Sequence, residues 1–356
     1  MIYTIFDNDI LIPYITSYLP DFITRLFIRK ELLERLNNEA LKTQYIHDLE
    51  DFFKNNNKNH LNIASAVEEA NEQHYMVPTE FFKLTLGKKL KYSGSFFGNN
   101  INKNNLNEAE EKTLKQYCDI LELSNKEEDV LELGCGWGSL SLYMAENNPL
   151  TKFTCLSNSL SQRKYIESKI KEKDLKNIKI ITLDVNDLSF EKLERKNKFN
   201  KCISIEMFEH MTNYDKLFEK IHNVLVPNGK LFVQVFCNSK YSYKYNDNSW
   251  MGRNFFTNGT MPSHQLLPSY NKHFDCLKKF IINGKNYGKT SRCWLNNMDS
   301  NKKKIINIFN KCYKDSDKSS EIWFQAWRLF FMACEESFNY DNGREWFVSY
   351  YLFSNK

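Results

Sequence analysis

The chain has 356 residues, of which 42% are apolar and 26% are charged, and its formal net charge is +5. This composition is typical of a globular protein with room for one large domain or two smaller ones. The lysines are dispersed, so we expect no nucleic acid partner. Nine cysteines without a Cys-x-x-Cys pair predict neither a metal site nor a disulfide scaffold.

Residues 1–70 are predicted to form a helical segment followed by a polar linker. Apolar residues recur at spacings of three and four up to about residue 50, and KNNNKNH at 54–60 is a polar low-complexity sequence. The apolar stretch 10–28 is too interrupted by prolines and charges to span a bilayer. We expect it to pack on the body of the protein, with binding at a membrane surface as the alternative. Without a signal peptide, a cytoplasmic location is expected.

Residues 71–240 are predicted to form a core of alternating strands and helices. Strands are predicted at 130–133, 152–156, 178–183, 201–205 and 230–236, and helices at 106–124, 139–146, 160–172 and 214–225. This alternation is typical of an α/β fold, a parallel sheet with helices on both faces. Residues 241–356 are less regular, with a loop-rich insertion to about residue 270, an aromatic helix and a final strand-like FVSYYLF.

The stretch DVLELGCGWGSL at 129–140 is the most informative in the chain. An apolar strand ends in glycines at alternate positions, Gly134, Gly136 and Gly138. Glycine turns the backbone tightly and lets main-chain N–H groups approach a ligand closely. The G-x-G-x-G spacing after Glu132 resembles the first motif of S-adenosylmethionine (SAM) dependent methyltransferases. A dinucleotide-binding fold is the alternative.

Two further strand ends carry polar residues, and ligands of an open α/β sheet bind outside the carboxyl ends of its strands. Asn158 stands near the position where many such sheets place an acid for ribose hydroxyls, and Gln162 follows one turn into the next helix. A helix N-cap by Asn158 or Ser159 is the alternative. Asp184 and Val185 would suit an adenine amino group and ring, with a surface turn as the alternative for Asp184.

The strand predicted at 201–205 runs directly into Glu206, Glu209 and His210. If the chain turns helical there, Glu206 and His210 are four residues apart and share a face. Two carboxylates and an imidazole at a ligand-facing strand end are acid–base groups, and a protonated amine must lose its proton before it can accept a methyl group. The alternative is a capped, solvated helix start.

A family resemblance is carried by five segments: QHYMVPTEFFKLTLGKKLKYSGSFF, VLELGCGWGSLSLYMAE, SIEMFEHMTNY, LFVQVFCNSKYSY and FFTNGTMPS. They resemble the coclaurine N-methyltransferase-like branch of the cyclopropane-fatty-acid synthase family, from about residue 15 onward. The resemblance implies a Rossmann-like class I methyltransferase sheet and SAM as the methyl donor. It also implies that the N-terminal helices and the insertion after residue 240 cover the active site.

The resemblance also implies roles for individual residues. Those expected to line the cofactor pocket or the acceptor cavity are Tyr92, Ser93, His74 and Tyr75. Glu206, Glu209 and His210 match the acid and histidine positions that handle the substrate amine in the N-methylating members. Cys334 matches a cysteine regarded as an active-site position, although a small buried hydrophobe is its alternative role.

Gly94 departs from the lipid-cyclopropanating members, which have a cysteine there and use it in a bicarbonate site. We therefore expect SAM-dependent N-methylation of a small cyclic or aromatic amine. Methylation or cyclopropanation of unsaturated phospholipid acyl chains is the first alternative. A SAM-binding protein without methyltransferase activity is the second. The sequence leaves the oligomeric state open.

Overall fold

A seven-stranded sheet forms the centre of the fold. The computed structural model describes residues 9–41, 62–64, 77–98, 101, 105–193, 195–245, 249–257 and 259–356. The strands of the sheet are β1 (Asp129–Leu133), β2 (Lys152–Ser157), β3 (Ile178–Thr182), β4 (Phe199–Ile205), β5 (Leu225–Asn238), β8 (Phe274–Ile282) and β9 (Trp346–Asn355). A separate short pair is formed by β6 (Tyr243–Lys244) and β7 (Thr260–Met261).

The strand order in the sheet is β3-β2-β1-β4-β5-β9-β8. The first five strands of this order are parallel, whereas β9 is antiparallel to both of its neighbours. The carboxyl ends of β1 to β4 therefore lie along one edge. This arrangement confirms the predicted α/β fold, and all five predicted core strands are present. β5 starts at Leu225 and not at the predicted residue 230. The left-handed Asn228 (φ 62°) therefore lies inside the strand.

Helices cover both faces of the sheet. They are α1 (Leu11–Ser17), α2 (Asp21–Leu41), α3 (Thr79–Thr85), α4 (Leu106–Ile120), α5 (Ser139–Asn147), α6 (Leu160–Glu172), α7 (Tyr214–Val224), α8 (Trp250–Phe255), α9 (Leu266–Ser269), α10 (Lys285–Ser300), α11 (Lys302–Cys312) and α12 (Ser320–Asn339). Neighbouring strand residues belong to different apolar clusters; Cys202 packs on one side of the sheet and Ile203 on the other. Burial on both faces explains the continuous apolar runs of the parallel strands.

The N-terminal helices pack on the body of the protein, as expected for the stretch 10–28. Two buried ion pairs join α2 to α12, because Arg25 lies 3.0 Å from Glu335 and 2.6 Å from Glu336. Arg29 reaches Glu336 as well, at 2.5 Å. None of the helices in the described part of the chain combines the length and the apolar character that a membrane crossing requires.

Candidate active site

The glycine turn between β1 and α5 has a left-handed backbone at Gly134, Gly136 and Gly138, with φ values of 75°, 52° and 77°. A Cβ atom at Gly134 would lie 3.1 Å from the side chain of Met207, and one at Gly138 would lie 2.7 Å from that of Ile166. Beside Gly136, by contrast, a Cβ would meet nothing within 4 Å. Packing thus requires two of the glycines, and the backbone of the third borders open space that a ligand can approach.

Glu132, on β1, stabilises the glycine turn through a contact with α5. Its buried carboxylate accepts a hydrogen bond from Ser141 on α5. Burial raises the pKa of Glu132 to about 7, although Ser141 and Cys155 both favour the charged form. The bond from strand to helix fixes the start of α5 relative to β1. The contacts of Glu132 therefore hold the turn in place from inside the protein.

Two serines form the hydrogen bonds at the carboxyl end of β2. Ser159 is the N-cap of α6 and accepts a hydrogen bond from the backbone of Gln162. The side chain of Gln162 is buried, and its Oε1 accepts a hydrogen bond from Ser157 at 2.8 Å. Asn158 is exposed at the tip of the turn. Of the two residues that we considered for the cap, Ser159 supplies it and Asn158 does not.

The end of β3 is joined to a segment from the N-terminal region. Asp184 accepts a hydrogen bond from the backbone N–H of Asn186 at 2.7 Å, and Val185 is half-buried beside it. The side-chain amide of Asn186 accepts from the N–H of Ile63 at 2.6 Å and donates to the carbonyl of Ala64 at 3.1 Å. Asp184 and Val185 thus lie in a turn that is clamped by the chain at 62–64.

Residues 92–94 connect the expected cofactor side to the acceptor side. The ring of Tyr92 packs 5.3 Å from that of Phe82, and Ser93 is buried next to it. The backbone N–H of Gly94 donates a hydrogen bond to Oε1 of Glu206 at 3.0 Å. The loop that we expected to contact SAM is therefore bonded to one of the predicted catalytic carboxylates. His74 and Tyr75 lie outside the described residues.

The chain does not turn into an α-helix after β4. Glu206 has a left-handed backbone (φ 49°), and only a single 3-10 turn follows, over Phe208–His210. The expectation that Glu206 and His210 share a helix face is therefore wrong, because a left-handed residue interrupts any helix started there. A left-handed backbone is uncommon outside glycine, and such residues concentrate at functional sites.

The Glu206 carboxylate accepts three hydrogen bonds from three separate elements. Oε1 accepts from the Gly94 N–H and, at 2.7 Å, from Nε2 of Gln234 on β5. Oε2 accepts from the hydroxyl of Tyr287 on α10 at 2.9 Å. Burial raises the pKa of Glu206, and the charge of Lys91 and the three donors oppose that rise. The surrounding groups therefore limit the rise that burial causes and favour the charged form.

Glu209 has a different environment three residues later. It is fully buried, and its Oε1 accepts a hydrogen bond from the backbone N–H of Phe236 at 2.8 Å. Burial and the nearby charge of Glu206 raise the pKa of Glu209 well above its usual range. Because the first carboxyl has three donors and a cation while the second has one backbone donor, Glu209 is the one that retains a proton at neutral pH.

An aromatic wall leads from His210 to Tyr287. We use this name for Phe256, Phe236, Phe338 and Tyr287. The His210 ring lies 5.0 Å from that of Phe256, which is 5.5 Å from Phe236. Phe236 lies 6.3 Å from Phe338, and Phe338 stacks on Tyr287 at 4.2 Å. The wall therefore joins the predicted histidine to the tyrosine that binds Glu206.

Several aromatic residues belong to the core. Those that are almost completely buried are Phe81, Phe82, Phe97, Phe255 and Trp327. Phe256, by contrast, lies against His210.

Cys334 lies on α12 within electrostatic reach of Glu206. Burial, and then the charge of Glu206, raise the pKa of this thiol to about 12. The side chain is therefore a neutral thiol at physiological pH. A neutral thiol is a weak nucleophile and a poor general base, so its surroundings favour packing at the edge of the site over chemistry.

Sequence reasoning missed two of the three groups that hold Glu206. Gln234 carried a signal, since it is a lone amide within the apolar run LFVQVF and is fully buried. A buried amide requires partners, so its position could have been marked as a site. Tyr287 carried no comparable signal, because it is one of 19 tyrosines and lies 81 residues from Glu206.

Comparison with known proteins shows the family of this chain. Residues 62–344 match the family described as mycolic acid cyclopropane synthetase. The chain belongs to this family. It is 30% identical over 305 residues to (S)-coclaurine N-methyltransferase of Thalictrum flavum subsp. glaucum, covering 83% of this chain and 81% of the relative. The enzyme of the same name from Papaver somniferum is 29% identical over 349 residues, 95% of each chain.

A solved structure extends the likeness to the fold. A coclaurine N-methyltransferase bound to N-methylheliamine and SAH superposes with a TM-score of 0.82 at 26% identity, covering 95% of this chain and 96% of that one. The protein is a SAM-dependent methyltransferase. The glycine turn fits this donor, because the backbone at Gly136 borders open space. That Tyr92, Ser93, Asn158, Gln162, Asp184 and Val185 contact SAM stays a prediction.

Proposed function

We propose that this enzyme transfers the methyl group of SAM to the nitrogen of a small, flat amine. The observation that carries the proposal is the Glu206 carboxylate, which three donors hold in one orientation next to the glycine turn. A carboxylate has about four lone-pair positions for hydrogen bonds, so one remains for an N–H of the acceptor. The relatives named N-methyltransferases support the same acceptor class.

The chemistry requires an amine without its extra proton. Bound SAM supplies a methyl group on a sulfonium; the N–C bond forms as the C–S bond breaks, and the sulfur leaves as a neutral thioether. A protonated amine has no lone pair for this displacement. Glu206 accepts the ammonium N–H, and its raised pKa makes it a stronger base than an exposed carboxylate. The half-buried His210 imidazole, four residues further along the chain, is our candidate for taking the proton onward. Holding the nitrogen in line supplies much of the remaining acceleration.

The aromatic wall supports a flat and cationic acceptor. Its rings run without a break from His210 to Tyr287, which bonds the carboxylate. A cation over an aromatic face gains about 0.5–2 kcal/mol, depending on how much water is excluded. An ammonium ion at Glu206 would therefore have both a counter-ion and aromatic surface beside it.

The packing around Gly94 argues against a lipid acceptor. A Cβ atom at Gly94 would lie 3.1 Å from the ring of Tyr287, closer than side chains ordinarily approach. A cysteine at this position, which the cyclopropanating relatives are expected to carry, does not fit unless Tyr287 moves. The ring would have to shift by a few tenths of an ångström, which would disturb the hydrogen bond that its hydroxyl donates to Glu206. In this chain the ring of Tyr287 packs directly against position 94.

Methyl incorporation tests the proposal directly. Purified enzyme is incubated with methyl-labelled SAM and either a panel of cyclic benzylic amines or vesicles of unsaturated phospholipid. We expect label on nitrogen and none on acyl chains, and loss of the amine signal in Glu206→Gln. Label found only in lipid would contradict the proposal. Tight SAM binding with no transfer to any acceptor would favour a binding protein instead.

The Gly94→Ala substitution tests the role of its packing. The added methyl group should displace Tyr287 and lower kcat/KM for the amine about tenfold, the scale of one hydrogen bond to a charged group. In a Tyr287→Phe background the same substitution should cost less, because the hydroxyl is already gone. Equal losses in both backgrounds would show that Gly94 does not act through Tyr287, and acyl-chain methylation by Gly94→Ala would reverse the argument.

A further inference from the structure

A buried lysine next to the active site has no part in the chemistry described so far. Lys91 is only 3% exposed. Its Nζ donates hydrogen bonds to Oγ of Ser93 at 2.7 Å and to the carbonyl of Gly94 at 2.5 Å. It also lies 5.4 Å from the centre of the Tyr117 ring. A lysine is rarely buried so completely, and such a side chain needs partners that compensate for its lost hydration.

Two chains of contacts lead from Lys91 to the same oxygen of Glu206. The first consists of hydrogen bonds alone, and the second begins with a cation–π contact. In the first, Lys91 donates to the carbonyl of Gly94, and the N–H of Gly94 donates to Oε1. In the second, the cation faces the ring of Tyr117, whose hydroxyl donates to Gln234, and Gln234 donates to Oε1. Hydrogen bonds in such chains polarise one another, so the positive charge strengthens both donors.

The charged and titratable groups around this pair come from several elements. Lys91 faces the carboxyl groups of Glu206 and Glu110. Glu206 lies within electrostatic reach of Lys91, Glu209, Tyr117, Tyr287, Cys334 and Tyr350. Burial lowers the pKa of Lys91 to about 8 and raises the pKa of Glu110 to about 7. Within the described residues around Glu206, Lys91 is thus the nearby cation.

We propose that Lys91 is a positioning residue, whose buried ammonium group keeps Glu206 ionised and oriented through the Gly94 peptide and the Tyr117–Gln234 pair. The role deepens the proposed amine methylation and rests on it for its catalytic meaning. The same cation bonds Ser93, on the expected SAM side, so a single side chain orders both sides of the loop. Lys91 itself touches neither the donor nor the acceptor in this role.

The Lys91→Met variant tests the inference, since it removes the charge and keeps the length of the side chain. Loss of an opposite charge should raise the pKa of Glu206. Glu206 is active when ionised, so activity is lost as pH falls through that pKa, and the loss should begin at a higher pH. We expect the acid limb of kcat/KM to move up by about 1 pH unit, within the usual range for a nearby charge.

A second variant separates this role from simple charge compensation of Glu110. In Lys91→Met/Glu110→Gln no unpaired acid is left beside the lost lysine, so we expect the thermal midpoint to recover while the acid limb stays displaced. Return of the acid limb to its wild-type position would overturn the proposal, as would an unmoved acid limb in Lys91→Met. Lys201→Met is the matched control, because Lys201 is also buried but bonds Glu128 at the far end of β4, 3.0 Å away; it should leave the pH profile unchanged.

Infrared difference spectra make the test independent of any acceptor. The carboxyl stretch of Glu206 is followed against pH in the SAH-bound enzyme, with Glu206→Gln as the reference, with and without the Lys91→Met change. We expect the titration of this band to move to higher pH when Lys91 is replaced. A shifted band in an enzyme that methylates no amine would refute the proposed function and leave this inference standing, whereas an unshifted band would refute the inference alone.

Discussion

Two carboxyl groups three residues apart are given opposite protonation states by their neighbours. Glu206 accepts three hydrogen bonds and faces Lys91, whereas Glu209 accepts one backbone N–H and faces the charge of Glu206. When two carboxyl groups lie close together, the pKa of the less well solvated one is raised. The pair therefore provides one anion for an ammonium ion and one neutral group that fixes the turn.

Amide substitutions should distinguish these two roles. Glu206→Gln removes the charge that the ammonium needs, and we expect kcat to fall about 100-fold or more. Glu209→Gln resembles the protonated acid and retains an oxygen for the Phe236 N–H, so we expect less than about a tenfold loss.

The measurement is steady-state kinetics beside calorimetric binding of SAH, whose affinity should hardly change in either variant. A larger loss for Glu209→Gln than for Glu206→Gln would mean that the assignment of the base is inverted. A large fall in SAH affinity for Glu206→Gln would instead place that residue in the donor site.

At this scale the sequence revealed a cluster of ionisable residues but not its arrangement. Glu206, Glu209 and His210 stood out because ionisable residues rarely follow an apolar strand so densely, and their catalytic role stays a prediction. Their helical arrangement was wrong, since no local pattern reveals that a glutamate adopts φ 49°. The donors to Glu206 come from positions 94, 234 and 287, which only the tertiary fold brings together.

The regular elements of the sheet were predictable because their sequence is dictated by burial on both faces. The parallel strands β1, β2 and β4 are short apolar runs, and a glycine turn follows β1 while a helix capped by Ser159 follows β2. The elements between residues 243 and 269 could not be predicted, because each has only two to six residues. Elements that short depend on tertiary contacts rather than on their own periodicity.

The contact of α2 with α12 is electrostatic as well as apolar. Arg25 bonds both Glu335 and Glu336, and Arg292 adds a further ion pair to Glu335 at 2.8 Å. Both glutamates and Arg25 are almost completely buried. A charge in this position depends on its partners, and without Arg25 each glutamate would keep a single, more exposed arginine: Arg292 for Glu335 and Arg29 for Glu336.

The Arg25→Met substitution should therefore destabilise the enzyme by about 2–3 kcal/mol, below the roughly 3–5 kcal/mol of a fully uncompensated buried charge, because Arg29 and Arg292 still pair with the glutamates. Urea unfolding followed by circular dichroism measures the change. Arg163→Ala is the control, because its pair with Glu167 at 2.7 Å is exposed, and such pairs contribute about 0.3–0.5 kcal/mol. Equal effects of the two substitutions would show that the α2–α12 ion pairs do not stabilise the fold.

On the scale of the whole molecule, donor and acceptor chemistry come from different stretches of the chain. Apart from Tyr92 and Ser93, the expected SAM contacts gather between residues 132 and 185, whereas the aromatic wall is formed after residue 235. The loop at 91–94 precedes both and bonds to Glu206 between them. This separation fits a family in which one donor site serves different acceptors.

The strand order has a consequence for how the protein is made. β9 lies between β5 and β8, and in the described sheet β8 is hydrogen-bonded to β9 alone. β8 leaves the ribosome about sixty residues before β9, which at usual translation speeds is roughly 3–12 s. During that interval the parallel strands of the nascent chain can pair, whereas the partner strand of β8 has not yet been made. Tyr287 lies between these two strands in the chain, so the hydroxyl that binds Oε2 of Glu206 is made only after all the parallel strands.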